Sequence, residues 1–93
     1  MSNIVYLVSV SSSEFNDAGV YHIYSDMLTA VRWCNNYNFE IFQSLDESKR
    51  ELYRKSDSMP KTLVFSNKTD DFTIWTARGL FNTFTIEIRE VDQ

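Results

Sequence analysis

The run KTLVFSNKTDDFTIWTARGLFNTFTIEIREV, residues 61–91, decides the fold. Its apolar residues alternate with polar ones and cluster between turn formers, which is the pattern of strands. It reads as a three-stranded meander: Lys61–Ser66, Asp71–Ala77 and Phe81–Val91. A one-residue slip inverts every side chain, so matching apolar faces sets the register. A four-residue loop, Asn67–Asp70, places Phe65 opposite Phe72 and Leu63 opposite Ile74. A three-residue loop, Arg78-Gly79-Leu80, places Ile74 opposite Phe84 and Phe72 opposite Ile86, with Gly79 supplying a positive φ. The predicted core face is Leu63, Phe65, Phe72, Ile74, Phe84, Ile86 and Ile88. The opposite face carries Val64, Thr73, Trp75, Ala77, Phe81, Thr83, Thr85, Glu87 and Arg89.

Upstream, Asn3–Val10 is a strand with apolar residues on both faces, as a central strand has. A polar loop carrying Phe15, Ser11–Gly19, leads to a second strand, Val20–Tyr24. Ser25 or Asp26 caps a helix whose stripe is Met27, Ala30, Val31, Cys34 and Tyr37, with Thr29, Arg32 and Asn36 facing away. Asn35, Asn36 and Asn38 end it, since asparagine tolerates the left-handed region. Phe39–Gln43 reads either as a short strand, the reading favoured here, or as more helix. Ser44-Leu45-Asp46-Glu47 is a capping-box pattern opening a polar surface helix to about Lys55. Asp46–Arg50 and Glu51–Lys55 are its expected ion pairs. The fold class is therefore α+β. A single domain, residues 1–93, holds a mostly antiparallel sheet of about five or six strands, one amphipathic helix and one polar surface helix.

The composition removes most function classes. Of 93 residues, 43% are hydrophobic and 15% aromatic, which excludes a disordered tail. A compact chain of this size exposes about 5,600 Å². One cysteine cannot build a disulfide framework. A net charge of −4 argues against a strongly basic nucleic-acid binder. The net negative charge lies before Lys49, where six acids stand with one base, while from Lys49 onward there are seven acids and eight bases. No apolar run is long enough to cross a bilayer and the start lacks a basic leader, so no membrane and a cytoplasmic location are expected. Asn67-Lys68-Thr69 fits a glycosylation sequon but reads as a turn.

Chemistry is harder to find. His22, the only histidine, lies within a strand and reads as a packed or edge residue rather than a base. Cys34 reads as a small buried hydrophobe. One His and one Cys cannot make a zinc centre, and Asp70-Asp71 reads as a turn. Two glycines permit no phosphate loop. No metal, no cofactor and no catalytic residue are therefore expected. The most informative residues are Trp75, Arg78 and Phe81. The predicted register puts Trp75 and Phe81 diagonally across the hairpin, about 7–8 Å apart, with Arg78 at its tip. Either the Ser11–Gly19 loop or the surface helix covers the two aromatics, or they form an exposed patch of the kind that binds partners.

The size, the acidity and the abundance of Asn, Ser, Tyr and Phe resemble small accessory proteins of tailed bacteriophages. The stretch Gly19-Val-Tyr-His-Ile-Tyr-Ser-Asp26 before a helix containing Ala30 resembles small phage and bacterial domains of unknown function. This resemblance implies a protein that binds and inhibits or redirects a host enzyme, including restriction and CRISPR machinery. The expected function is a non-catalytic protein-binding module, an inhibitor or modulator of a host enzyme or defence complex. The alternative is a small domain that binds or mimics nucleic acid.

Overall fold

A computed structural model describes residues 2–12 and 19–92. The strands are β1 (Ser2–Ser12), β2 (Gly19–Tyr24), β3 (Ser66–Asn67), β4 (Ile74–Arg78) and β5 (Asn82–Asp92). The helices are α1 (Met27–Gln43) and α2 (Glu47–Lys55), between β2 and β3. One antiparallel sheet has the order β2-β1-β5-β4-β3, giving an α+β fold.

β1 is central, as its two apolar faces predict, and pairs along its whole length with β5. Val8 faces Ile86 and Val10 faces Phe84, and all four are buried. α1 covers this face. Asp26 caps it by accepting the Thr29 amide at 2.8 Å, and Ala30, Cys34, Asn38 and Phe42 form its buried i,i+4 stripe. Thr29, Arg32 and Asn36 are exposed, as expected. On the other sheet face Val5 and Leu7 stay partly exposed and Ile23 is exposed.

The β4–β5 register differs from the predicted one by three residues. Ile74 faces Glu87, Trp75 faces Ile86 and Ala77 faces Phe84. An odd shift inverts β4, so Trp75 and Ala77 turn to the helix-covered face and Ile74 away from it. The packing explains this. Ala77 is 3% exposed and pairs with the fully buried Phe84, so a small residue of β4 faces the bulkiest residue of that row. The turn is Gly79–Phe81, closed by Gly79 N donating to Asn82 O at 2.7 Å. Gly79 does not have a positive φ. It is needed because a Cβ there would lie 2.5 Å from Asn38 Oδ1 and 2.6 Å from Phe84 Cε2.

Further expectations are corrected. Residues 61–65 form no ladder, because the Leu63 amide donates at 2.8 Å to Asn35 Oδ1 on α1; Leu63 is buried there. Phe72 is not a core strand residue: it has φ 60° and is 62% exposed. Residues 39–43 are helix, since burial of Phe42 one turn beyond Asn38 outweighs local strand preference. The asparagines thus sit inside α1. Ser44 closes it, its amide bonding back to Glu40 O, and α2 begins at Glu47 with no side-chain cap from Asp46. On α2 the ion pair that forms is Glu51–Arg54 at 3.2 Å. The Phe15 loop lies outside the described residues.

Candidate partner-binding groove

Met27, at the start of α1, lines a groove with Tyr6 of β1, while Asn38 further along α1 bonds to Leu80 in the β4–β5 turn. Tyr6, Met27, Phe65, Trp75 and Ile88 together make this an apolar groove of about 350 Å³. Each wall has a local cause. Tyr6 and Ile88 are a cross-strand pair continuing the buried row. Met27 is the first residue of α1. Phe65 ends the extended segment held to α1 through Leu63. Trp75 is brought in by the inverted face of β4.

The loop beside Trp75 is tied down by its own polar groups. Thr69 Oγ1 accepts the amides of Thr73 and Ile74 at 3.0 and 3.2 Å. Asn67 accepts the Thr69 amide, so the sequon segment is a turn. Asp71 accepts the Thr73 hydroxyl at 2.7 Å. That bond, with a further contribution from the Thr69 side chain, holds the Asp71 carboxyl below its usual range. At the tip, Phe72 O accepts the Trp75 indole N–H at 2.9 Å, and the two rings lie 6.3 Å apart. The charges nearest the lining residues in sequence are mixed: Asp26 precedes Met27 and Arg89 follows Ile88. Asp26 is held below its usual range by the Thr29 backbone and side-chain hydrogen bonds.

Trp75, Arg78 and Phe81 do not form one patch. Arg78 is exposed at the end of β4, on a second groove with Asn38, Pro60, Lys61, Gly79 and Leu80. Phe81 lines a third, of about 410 Å³, with Leu45, Lys49, Leu52, Tyr53 and Ser56 of the α2 region. Its ring meets Tyr53 edge-on at 5.9 Å, and Tyr53 meets Phe42 at 6.2 Å. Of the three predicted residues only Trp75 belongs to the aromatic groove. Face matching puts Phe72 in the core, whereas its place directly after Asp70-Asp71 is the signal of a loop.

His22 is exposed on β2, with its ring 4.7 Å from Trp33 and 5.7 Å from Tyr24. Cys34 is fully buried and burial pushes its thiol up to about 12. Among the described residues no three His, Cys, Asp or Glu side chains gather as metal ligands, and no helix is long and apolar enough to cross a membrane. No family model matches the chain, nor does any curated protein or solved structure.

Proposed function

We propose that this chain is a non-catalytic protein-binding module which engages its partner through the Trp75 groove. The resemblance to phage accessory proteins directs the choice of partner to a host enzyme or defence complex, which the protein inhibits or modulates in the host cytoplasm. Phe72 carries the reading. An aromatic side chain in the left-handed region costs free energy that Asn or Gly would largely avoid. Here the cost accompanies a ring 62% exposed, directly beside an open apolar groove. Strain held at an exposed apolar residue is characteristic of binding sites. The net charge of −4 disfavours a phosphate backbone as ligand. Arg78 and Phe81 would take part only through a second contact.

Phe72→Asn separates binding from folding, because asparagine suits the backbone and the ring buries little. Pull-down from bacterial lysate, followed by titration of the retained protein, should show at least a tenfold loss with Phe72→Asn, about 1.4 kcal/mol, with Tm unchanged or raised. Trp75→Ala should weaken capture similarly. A partner held equally well by both variants would overturn the reading.

A further inference from the structure

Two asparagines on α1 hold the walls of the groove that Arg78 lines. Asn35 Oδ1 accepts the Leu63 amide at 2.8 Å, and Asn38 Oδ1 accepts the Leu80 amide at 2.9 Å. β3 and β4 pair at Asn67–Trp75 and Ser66–Thr76. Carried on, that antiparallel register would set Phe65 against Ala77 and Val64 against Arg78. It stops instead, because Leu63 is drawn to the helix, and no backbone hydrogen bond joins residues 61–65 to 77–80. The split between the two segments is a groove of about 380 Å³, with Lys61, Thr62 and Val64 from one, Arg78, Gly79 and Leu80 from the other, and Asn38 joining them.

A side-chain amide has an acceptor end and a donor end to satisfy. Asn35 satisfies both, its Nδ2 donating to Val31 O at 3.1 Å. Asn38 is the more deeply buried, at 3% exposure, and the Leu80 N–H fixes which of its ends is the oxygen. Its Nδ2 makes no hydrogen bond among the described residues. Nor is that nitrogen sealed from solvent, as the unpartnered Arg50 Nε and Asn82 Oδ1 are. The donor therefore opens on space that Asn38 lines. Asn38 lines the groove and a smaller hollow that adjoins it through Pro60, Lys61 and Thr62, so Lys61 is at hand in both.

The charge around this donor has one sign. Lys61 and Arg78 are exposed, neither is ion-paired among the described residues, and no acidic side chain lines the groove or the hollow. In a chain of net charge −4 this is a local excess of positive charge. A buried neutral donor beside two cations suits an oxyanion, and Met59, Pro60, Val64 and Leu80 suit an apolar attachment to it. The Gly79 and Leu80 amides are already given to Asn82 O and Asn38 Oδ1, so no run of backbone N–H groups remains there for a phosphate.

We propose that this groove binds a carboxylate carried by a small apolar group. Arg78 and Lys61 take the charge, and Asn38 Nδ2 donates to one carboxylate oxygen, held in place by the bond at the other end of its amide. The apolar part lies along Val64 and Leu80. The site shares no residue with the Trp75 groove, and its test needs no partner protein.

N-acetyl-leucine titrated into isotope-labelled protein should bind saturably at millimolar concentration and shift the NMR signals of the Asn38 side-chain amide and the Arg78 Nε–H. N-acetyl-leucinamide, the same molecule without the charge, should shift neither. Replacing both exposed cations, Lys61→Gln with Arg78→Gln, should raise the dissociation constant about tenfold with an unchanged circular dichroism spectrum. Lys68→Gln, an exposed cation outside the groove, should leave it within about twofold. Hexanoate offers the same chemistry from another source. Tighter binding of N-acetyl-leucine identifies the carboxyl end of a peptide and tighter binding of hexanoate a free acid, and either supports the site. Four results would overturn it: no saturation by either acid at tens of millimolar, the acid and its amide acting alike, inorganic phosphate binding more tightly than either acid, or an affinity indifferent to the double variant.

Discussion

Asn38 Oδ1, in the middle of α1, accepts the Leu80 amide at 2.9 Å across 42 residues of sequence. Asn38 is 3% exposed, so the bond is shielded from water. It explains an asparagine on an otherwise apolar helix stripe and fixes the β4–β5 turn against the helix. Asn38→Ala should cost about 1–3 kcal/mol, since it leaves a partly buried N–H without its acceptor. Gly79→Ala should also destabilise, because its Cβ would press on Asn38 Oδ1 and Phe84. In urea unfolding the double variant should lose less than the sum of the two, as neighbours sharing a cavity do.

Phe84 tests the observed register. It is fully buried against Ala77 and Val10. Phe84→Ala should cost about 3–5 kcal/mol, and Ala77→Leu about 1–3 kcal/mol through overpacking. Backbone NMR contacts should join Trp75 to Ile86; contacts joining Ile74 to Phe84 would restore the other register.

Much of this fold is legible in the sequence, and the failures share a cause. β1, β2, the Asp26 cap, the Ala30–Cys34 stripe and the two faces of β5 follow from periodicity and capping alone. The β4 register does not, because loop-length parity assumed that Phe72 belongs to a strand. Its backbone instead enters the left-handed region to end a turn built from Asn67, Thr69 and Asp71. Asn35 and Asn38 mislead in the same way. Asparagine's local preference is to stop a helix, and here it is overridden by two backbone amides, those of Leu63 and Leu80, that arrive from far along the chain. The aromatic groove follows from the β4 inversion and was hidden with it.

Cys34 should resist thiol reagents under native conditions and react only as the protein unfolds. Burial holds its thiol protonated up to about 12, against 9.0 for a free thiol. The folded state therefore keeps a proton that the unfolded state releases. This contribution to stability is complete below about pH 9 and falls as pH rises towards 12. Urea midpoints from pH 8 to 11 should decline for the wild type more steeply than for Cys34→Ala. Rapid labelling of the native protein would contradict the burial.

On the acid side the sign reverses. Asp26 and Asp71 are both held below their usual range, so the unfolded chain takes up protons first. Their stabilisation is present above the ordinary carboxylate range and is lost as pH falls from that range through their lower folded values. Thermal melts between pH 6 and 2 should show a smaller acid-induced drop in Tm for Asp26→Asn, which keeps an oxygen for the Thr29 amide, than for the wild type. An identical drop would show that this cap carries no pH dependence.

The pairing of the first strand with the last has a kinetic meaning. Ser2 lies opposite Asp92, and the central pair of the sheet closes a loop of nearly the whole chain. Pairings of that sequence separation place a fold among the slower small domains, in the millisecond-to-second range. During synthesis β1 can find β2 early, but its longer partnership must wait for β5 to emerge. The same adjacency makes the molecule a natural subject for circular permutation. A short linker from Asp92 to Ser2, with new ends cut in the α1–α2 connection, would turn the slowest contact into a hairpin. Folding should then accelerate while the finished sheet stays the same.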